Sequence, residues 1–439
     1  MDGIMTTLLN SLRNPTEIPS SKAPYLLQLS SFILDPIAYL EAGFARSDVF
    51  WVYAPMRAII AASPEAVRQV FAEPEETFGV VENFADSVRF IFGGDGSIAM
   101  ASGEEYLRQR QMLLPAFRGE RMKTCRELVC QVTRSLLDGK RKIVTEEVAR
   151  EITVATILSF TFGSFEGERY QTIAREFMFQ LGLIETPLKA IQLFNPFLQV
   201  FSGTYRKWLR SREIFFEEVA AEIRERRQAG VGDQGDILSI LMQESETNQE
   251  IYCQVMTLLF AGREPTSYTL TWILYWVSTI PEVKDKLLAE IDSGEDFRSL
   301  PYLDAVIKEA LRIYPPPYIF GPRKTKFPFK LLDWELEPNT VIYPSPYLIH
   351  HREEIYPEPE KFRPERFLER HFTPYEYIPF GGGHRSCIGM ALALFELKLA
   401  IGTILSEYNV ELADKRPVRA IRRGAVLGPE KFELLVEPR

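Results

Sequence analysis

The residues Phe380–Gly381–Gly382–Gly383–His384–Arg385–Ser386–Cys387–Ile388–Gly389 bring together the side chains with the most evident chemical use in this chain. Consecutive glycines let a backbone come close to a flat ligand and adopt positive φ. Cys387 follows them, near what the apolar spacing of Ala391, Leu394, Leu397 and Ile401 marks as the start of a helix. A sulfur in that position meets the helix dipole and free N–H groups, which favour a thiolate. A thiolate is a strongly donating iron ligand that promotes O–O cleavage. Arg385 suits a carboxylate on the same ligand. His384 is the rival metal ligand, but its loop position points to solvent. Cys125, Cys130 and Cys253 have no such surroundings and read as small buried hydrophobes.

Phe380, Gly383, Arg385, Cys387 and Gly389 together resemble the haem-binding signature of the cytochromes P-450. Other segments support the resemblance in the right order. Glu309-Ala-Leu-Arg312, followed by Pro315–Pro317, is similar to the family's Glu-x-x-Arg helix. Phe362-Arg363-Pro364-Glu365-Arg366-Phe367 is similar to the segment supplying the third member of a Glu309, Arg312 and Arg366 charge network, whose role would be structural. Gly103–Arg110 resembles the helix crossing one haem edge. The likeness extends from about Val49 to the C-terminus, with a shortened loop at 291–302. It implies one haem-thiolate domain over residues 1–439, mainly α, with a triangular all-α bulk and small β-sheets. It also implies heme b, with Cys387 as metal ligand and Phe380, Gly381 and Arg385 as haem contacts. Arg110, Tyr106 (where the family usually has Trp or His) and Arg323 are the candidates for holding propionates.

Ala261-Gly262-Arg263-Glu264-Pro265-Thr266-Ser267 is similar to the family's oxygen-side helix element, in which an acid and a Thr steer protons. The acid is Glu264, but Pro265 stands at the Thr position. Proline has no N–H to give the Ala261 carbonyl and no hydroxyl. Thr266 is rotated about 100° around the helix and does not replace that hydroxyl directly. Glu264, Pro265 and Thr266 are the candidate catalytic positions. The resemblance therefore implies a monooxygenase that hydroxylates or epoxidises a hydrophobic molecule. The alternative is a peroxide-using peroxygenase or a haem isomerase or dehydratase, since such relatives dispense with the Thr. Family peroxygenases carry an Arg-Pro pair that binds a fatty-acid carboxylate, whereas here Glu264 separates Arg263 from Pro265.

The elements that must position these residues can be read from periodicity. Val49–Ala61 predicts a hairpin, and Ser63–Phe71 a short helix with Ser63 as N-cap and Pro64 as its first residue. Thr145–Phe162 and Arg206–Arg227 have a helical period, the second ending near Gly230. The charged run Glu222–Arg227 reads as a solvated face. Asn248–Ile280 predicts a long buried central helix interrupted at Pro265. Short strands are expected at Phe329–Leu336, Thr340–Tyr343 and Phe432–Val436, with irregular coil up to Gly383.

Composition sets outer bounds. The chain has 439 residues, 46% hydrophobic and 25% charged, so a sizeable core can form. A net charge of −9 argues against nucleic acid. Four scattered cysteines fit a reducing, cytoplasmic setting better than a disulfide framework. Met5–Leu12 is too short and too soon broken to serve as signal or anchor, so any membrane association is expected to be peripheral. Apolar residues Val80, Val81, Phe84, Phe90, Phe92, Phe177, Leu181, Leu258, Tyr318, Ile319 and Phe320 are candidate pocket walls for a fatty-acid or terpenoid-like substrate. With no flavin or nicotinamide domain, electrons would come from a ferredoxin and its reductase, docking near Arg108, Lys123, Arg126, His384 and Arg385. A monomer is expected.

Overall fold

The computed structural model describes residues 17–439 apart from 54–55, 80, 118–119, 165, 186, 231–234, 246 and 424–425. Met5–Leu12, Val80 and the Lys123 side chain lie outside the described residues. The chain is mainly helical with small sheets and divides into two compact units. One takes in the residues up to Val81 with Ile319–Pro357 and Thr373–Arg385. The other takes in Glu82–Tyr318, Glu358–Phe372 and Ser386–Arg439.

In the first unit, Val49–Tyr53 and Arg57–Ala61 form the expected hairpin, with Val49 opposite Ala61 and Tyr53 opposite Arg57. The sheet continues through Val341–Pro344, parallel to Arg57–Ala61, then Arg323–Thr325 and Phe78–Gly79. Helix α1 (Pro64–Ala72) starts as its sequence dictates. Pro64 occupies the first turn and Ser63 Oγ accepts from the Ala66 N–H at 3.3 Å. Val67, Val70 and Phe71 of α1 pack with Val49, Ile59 and Ile342 into one apolar cluster.

The second unit is built from helices. Those used below are α2 (Gly103–Leu113), α3 (Thr145–Phe162), α4 (Glu168–Glu185), α5 (Pro196–Phe201), α6 (Gly203–Ala229), α7 (Asn248–Thr279), α8 (Pro301–Ile313) and α9 (Met390–Glu407). Helix α7 is buried along most of its length, as its all-round apolar character requires, and lies against α3 and α9. The α3 approach depends on Gly262. A Cβ there would come 2.7 Å from Ile157 Cδ1, closer than side chains tolerate.

Two expectations need correction. Helix α7 is not interrupted at Pro265 but runs unbroken from Asn248 to Thr279. Burial of both flanking halves holds the turn in place although proline removes one rung. Nor is Glu222–Arg227 simply a solvated face. Glu222 and Arg226, four residues apart on α6, turn inward and pair at 2.7 Å. Arg226 also donates to Asp236 at 2.7 Å and to the Phe162 carbonyl at 2.6 Å. Only Arg224, Glu225 and Arg227 stay exposed. A charge run seen in sequence carries no label for which of its members has a buried counter-charge.

Candidate active site

The glycine loop belongs to the first unit as far as Arg385. Gly381 and Gly383 have φ of 70° and 63°. Gly383 has a second reason to be glycine, since a Cβ would lie 2.3 Å from the Phe71 carbonyl oxygen on α1. Phe320 lies beside Gly381 and packs against Phe71 with ring centroids 5.7 Å apart. The loop is also tied down by a residue that sequence reasoning missed. His350 is fully buried, and its Nε2 accepts from the Ile378 N–H at 3.0 Å. That bond makes the imidazole a neutral acceptor two residues before Phe380. His384 is exposed, as expected of the weaker rival ligand. Burial pushes the Arg385 guanidinium down to about 10, so a carboxylate beside it would be strongly favoured. Arg323 lies in the strand Arg323–Thr325 and is half-buried.

Ser386 and Cys387 open the second unit's share. Helix α9 begins at Met390 with Gly389 as N-cap, so Cys387 precedes it by a short turn. The Gly389 and Met390 N–H groups still bond the sulfur. Burial among protein atoms nonetheless pushes the thiol up, outweighing those two bonds and the Arg110 charge. By surface accessibility Cys387 is exposed although protein atoms crowd around it, whereas Cys125 and Cys253 are buried.

Arg110 and Tyr106 come together on one face of α2, as their four-residue spacing predicts. Arg110 Nη1 donates to the Tyr106 hydroxyl at 3.1 Å. The same guanidinium donates to the Ser386 carbonyl at 2.7 Å and to Ser386 Oγ at 3.1 Å. Arg110 thus steadies the peptide that leads into Cys387. Ser386 was not singled out in the sequence, and no feature of its type or spacing marks it.

These residues fit a haem. Among the described residues no group of three or more His, Cys, Asp or Glu side chains could hold a bare metal ion. An accessible lone sulfur therefore suits a metal whose other ligands are not protein. Within the first unit the glycines keep the backbone low and Arg385 offers a cation for a carboxylate; within the second, Arg110 offers another. A haem held through Cys387 would supply the electron transfer and oxygen chemistry.

The middle of α7 is the second place of chemical interest. Within this buried helix Ala261 is exposed, and Phe260, Gly262 and Pro265 are half-exposed. Arg263 and Glu264 turn the other way and are buried at 1% and 6% exposure. Arg263 Nη1 bridges Glu264 Oε1 at 2.9 Å and Glu185 Oε1 of α4 at 3.1 Å. Burial and the neighbouring Glu185 carboxyl hold Glu264 well above the ordinary carboxylate range. For Glu185, burial is outweighed by the hydrogen bond from Glu264 and by Arg263 and Arg150, so it falls below that range. The two carboxyls titrate as one pair, with Glu264 the more readily protonated member. Thr266 is buried, and Thr269 Oγ1 donates to the Pro265 carbonyl at 2.8 Å. Glu185 was not foreseen, because nothing local in α4 sets it apart from other helical glutamates.

The expected charge network is present on α8. Glu309 and Arg312 have no exposure and Arg366 has 4%. Glu309 accepts from Arg312 Nε at 2.7 Å, Arg312 Nη2 at 2.9 Å and Arg366 Nε at 3.0 Å. It also accepts from the Arg363 N–H at 2.9 Å. Both guanidiniums reach the Lys361 carbonyl. One carboxylate thereby fastens the Lys361–Arg366 segment to α8.

The pocket candidates are mixed. Phe92, Phe177, Leu181, Leu258 and Tyr318 are buried, while Phe84 is 45% exposed. Phe90 stacks on Trp208 at 5.2 Å beside Phe194 and is part of a packed cluster. Of the proposed docking cations, Arg108 pairs with Glu105 and Glu250, and Arg126 pairs with Asp296. Among the described residues no helix is long and apolar enough to cross a membrane.

The sequence pattern of the family Cytochrome P450 matches residues 43–436, and this chain belongs to that family. It is 31% identical over 411 residues to cyclooctat-9-en-7-ol 5-monooxygenase of Streptomyces melanosporofaciens, covering 85% of each chain. It is 26% identical over 415 residues to putative cytochrome P450 135A1 of Mycobacterium tuberculosis, covering 90% of this chain and 89% of that one. Among solved structures, the retinoic acid-bound cyanobacterial CYP120A1 superposes with a TM-score of 0.82 at 20% identity. It covers 96% of this chain and 99% of its own, so the fold is shared. The protein is a haem-thiolate oxidoreductase of the P450 monooxygenase type.

Proposed function

We propose that this chain is a single haem-thiolate domain that hydroxylates or epoxidises a terpenoid-like small molecule, using heme b and electrons from a separate ferredoxin and ferredoxin reductase. Cys387 is the metal ligand. Phe380, Gly381, Arg385, Arg110, Tyr106 and Arg323 contact the cofactor. The observation that carries the reading is the Glu185–Arg263–Glu264 cluster. It biases the pair's proton toward Glu264 and fixes that carboxyl's orientation within α7. Proton delivery to reduced dioxygen needs such a group; peroxide cleavage also moves a proton, so the cluster supports oxygen chemistry in general and the similarity to a named monooxygenase favours the dioxygen reading. The same cluster holds Arg263 between two acids, which leaves it poorly placed to bind a fatty-acid carboxylate. A terpenoid-like substrate is therefore favoured over a fatty acid. The relative from Streptomyces melanosporofaciens, named for an unsaturated alcohol, agrees with that choice. The protein is proposed to act as a cytoplasmic monomer.

A second reading rests on Pro265, which brings no hydroxyl to the position where proton steering is expected. Under it, the enzyme takes peroxide as oxidant or rearranges a peroxide. One screen separates the two: terpenols and fatty acids are offered with ferredoxin, reductase, reduced nicotinamide and dioxygen, or with peroxide alone. Product that requires the electron donor supports the monooxygenase. Product formed equally well from peroxide alone overturns it. Pro265→Thr sharpens the result, because it should raise the product formed per electron consumed in a monooxygenase and should do nothing, or cause loss, in a peroxide user.

A further inference from the structure

Buried acids in the second unit come with a cation. Glu146 has Arg150, Asp236 has Arg226 and Glu309 has Arg312. Glu396 is different. It sits on α9 with Leu392, Leu399 and Ala400, one turn to either side on the same face, and all four are buried. Its Oε1 meets no hydrogen-bond partner. Among the described residues no charged side chain bears on its carboxyl, and Thr156 of α3 is its polar neighbour. The titratable groups on its flanks are engaged elsewhere. Lys398, about 200° around the helix, pairs with Asp304 at 2.7 Å. Cys130, on the helix Glu120–Leu137, accepts at 3.3 Å from Thr403, two turns further along α9.

A carboxylate without a counter-charge is costly in such a place, so the group is held as a neutral acid. Burial pushes it up to about 8. An aliphatic side chain would fill the position without that cost; what it could not do is exchange a proton.

Helix α9 leads away from Cys387. Met390 opens it, and Glu396 follows six residues later, about 9 Å along the axis. Residues 390–395 are Met, Ala, Leu, Ala, Leu and Phe, so no charge intervenes along the helix. An electron delivered to a haem on Cys387 adds a negative charge at this end of α9. We infer that Glu396 is the proton partner of that electron: its carboxylate takes up one proton from water on reduction and returns it on reoxidation. The electron comes from the donor protein and the proton from solvent, and no bond of the substrate changes. The inference rests on the reading of Cys387 as ligand and names a regulation of the same site.

Charges about 12 Å apart at an effective dielectric of about 20 alter each other's equilibria about tenfold. The coupling is reciprocal. Ionised Glu396 opposes the incoming electron, whereas the neutral acid does not. Below about pH 8 the acid is neutral and the haem is easier to reduce; above it, the oxidised protein carries the carboxylate and is harder to reduce.

The experiment is potentiometric titration of the haem-loaded protein with dithionite and mediator dyes, wild type against Glu396→Gln, from about pH 6.5 to about pH 10. The wild-type potential is expected to fall between about pH 8 and about pH 9 by about 60 mV, the equivalent of a tenfold change for one electron. Glu396→Gln should lack that fall. Infrared difference spectra of the oxidised protein should show a protonated carboxyl band that the variant lacks. The band should vanish through about pH 8 and persist to higher pH when the protein is reduced. Parallel potential curves for the two proteins, with the thiolate signature of the reduced-CO spectrum intact, would overturn this inference alone. A band already missing from the wild type at neutral pH would do the same. A wild type without the thiolate signature would bring down the ligand assignment, and this inference with it.

Discussion

Glu396 lies on α9, nine residues beyond Cys387, and is only 3% exposed. Its Oε1 has no hydrogen-bond partner, and burial pushes its carboxyl up to about 8 from an ordinary 4.5, with only partial relief from Thr156 on α3. The sign follows from linkage. A carboxyl with a raised pKa in the folded state favours unfolding wherever the unfolded chain would ionise and the folded one would not. That penalty is absent below about pH 4.5, grows through neutrality and levels off above about pH 8. At pH 7 the unfolded group gains about 2.5 pK units of ionisation free energy that the folded group forgoes, or about 3 kcal/mol. At pH 5 the same sum is under about 1 kcal/mol. Glu396→Gln keeps the shape and removes the titration. Relative to wild type, its stability should therefore rise by roughly 2 kcal/mol on going from pH 5 to pH 7. Urea unfolding of the haem-loaded proteins, followed by far-UV circular dichroism at pH 5, 6, 7 and 8, measures that difference. Comparing the two pH slopes cancels any fixed effect of exchanging acid for amide. Parallel slopes would refute the reasoning, because they would mean that Glu396 is ionised when folded or that burial does not set its protonation.

Three other outcomes are expected. Cys387→Ala should abolish the thiolate signature in the reduced-CO difference spectrum, and a surviving signature would remove Cys387 as ligand. Glu309→Ala leaves two buried guanidiniums without a counter-charge and should cost about 3–5 kcal/mol. It should appear in denaturant titration as a lower midpoint, with loss of haem during purification. Arg110→Ala removes both bonds to Ser386 and should cost about 1.5–3 kcal/mol, the usual worth of hydrogen bonds to a charged group. The measurable consequence is faster transfer of haem to apomyoglobin, with little change in far-UV circular dichroism.

Much of this protein can be read from residue order because local rules and tertiary packing agree. Thr145–Phe162 is a helix over those same residues. Ser63 and Pro64 start α1 because an acceptor side chain and a fixed φ suit that place in any fold. Glu309, Arg312 and Arg366 could be assembled because their segments resemble the family's, whereas a helix-face charge pair taken alone says little. What escaped the sequence is long-range pairing. Glu185 meets Arg263 across 78 positions, and Arg110 meets Ser386 across 276. His350 reaches Ile378 through a backbone bond that no periodicity announces. The mistake at Pro265 has the same origin. Proline's local cost was counted, while the burial of α7 on both sides of it was not visible.

That unbroken α7 carries a mechanical consequence. Every other turn of a helix is laced to the next by its N–H to C=O rungs, but Pro265 withdraws the donor that would have met Ala261. Bending stiffness depends on those rungs, so compliance is concentrated at this one turn, while the two long arms of the beam stay clamped by their packing. The soft turn coincides with the exposed stretch at Ala261. Whatever presses there can be accommodated by a small flexure of the axis, without disturbing either end.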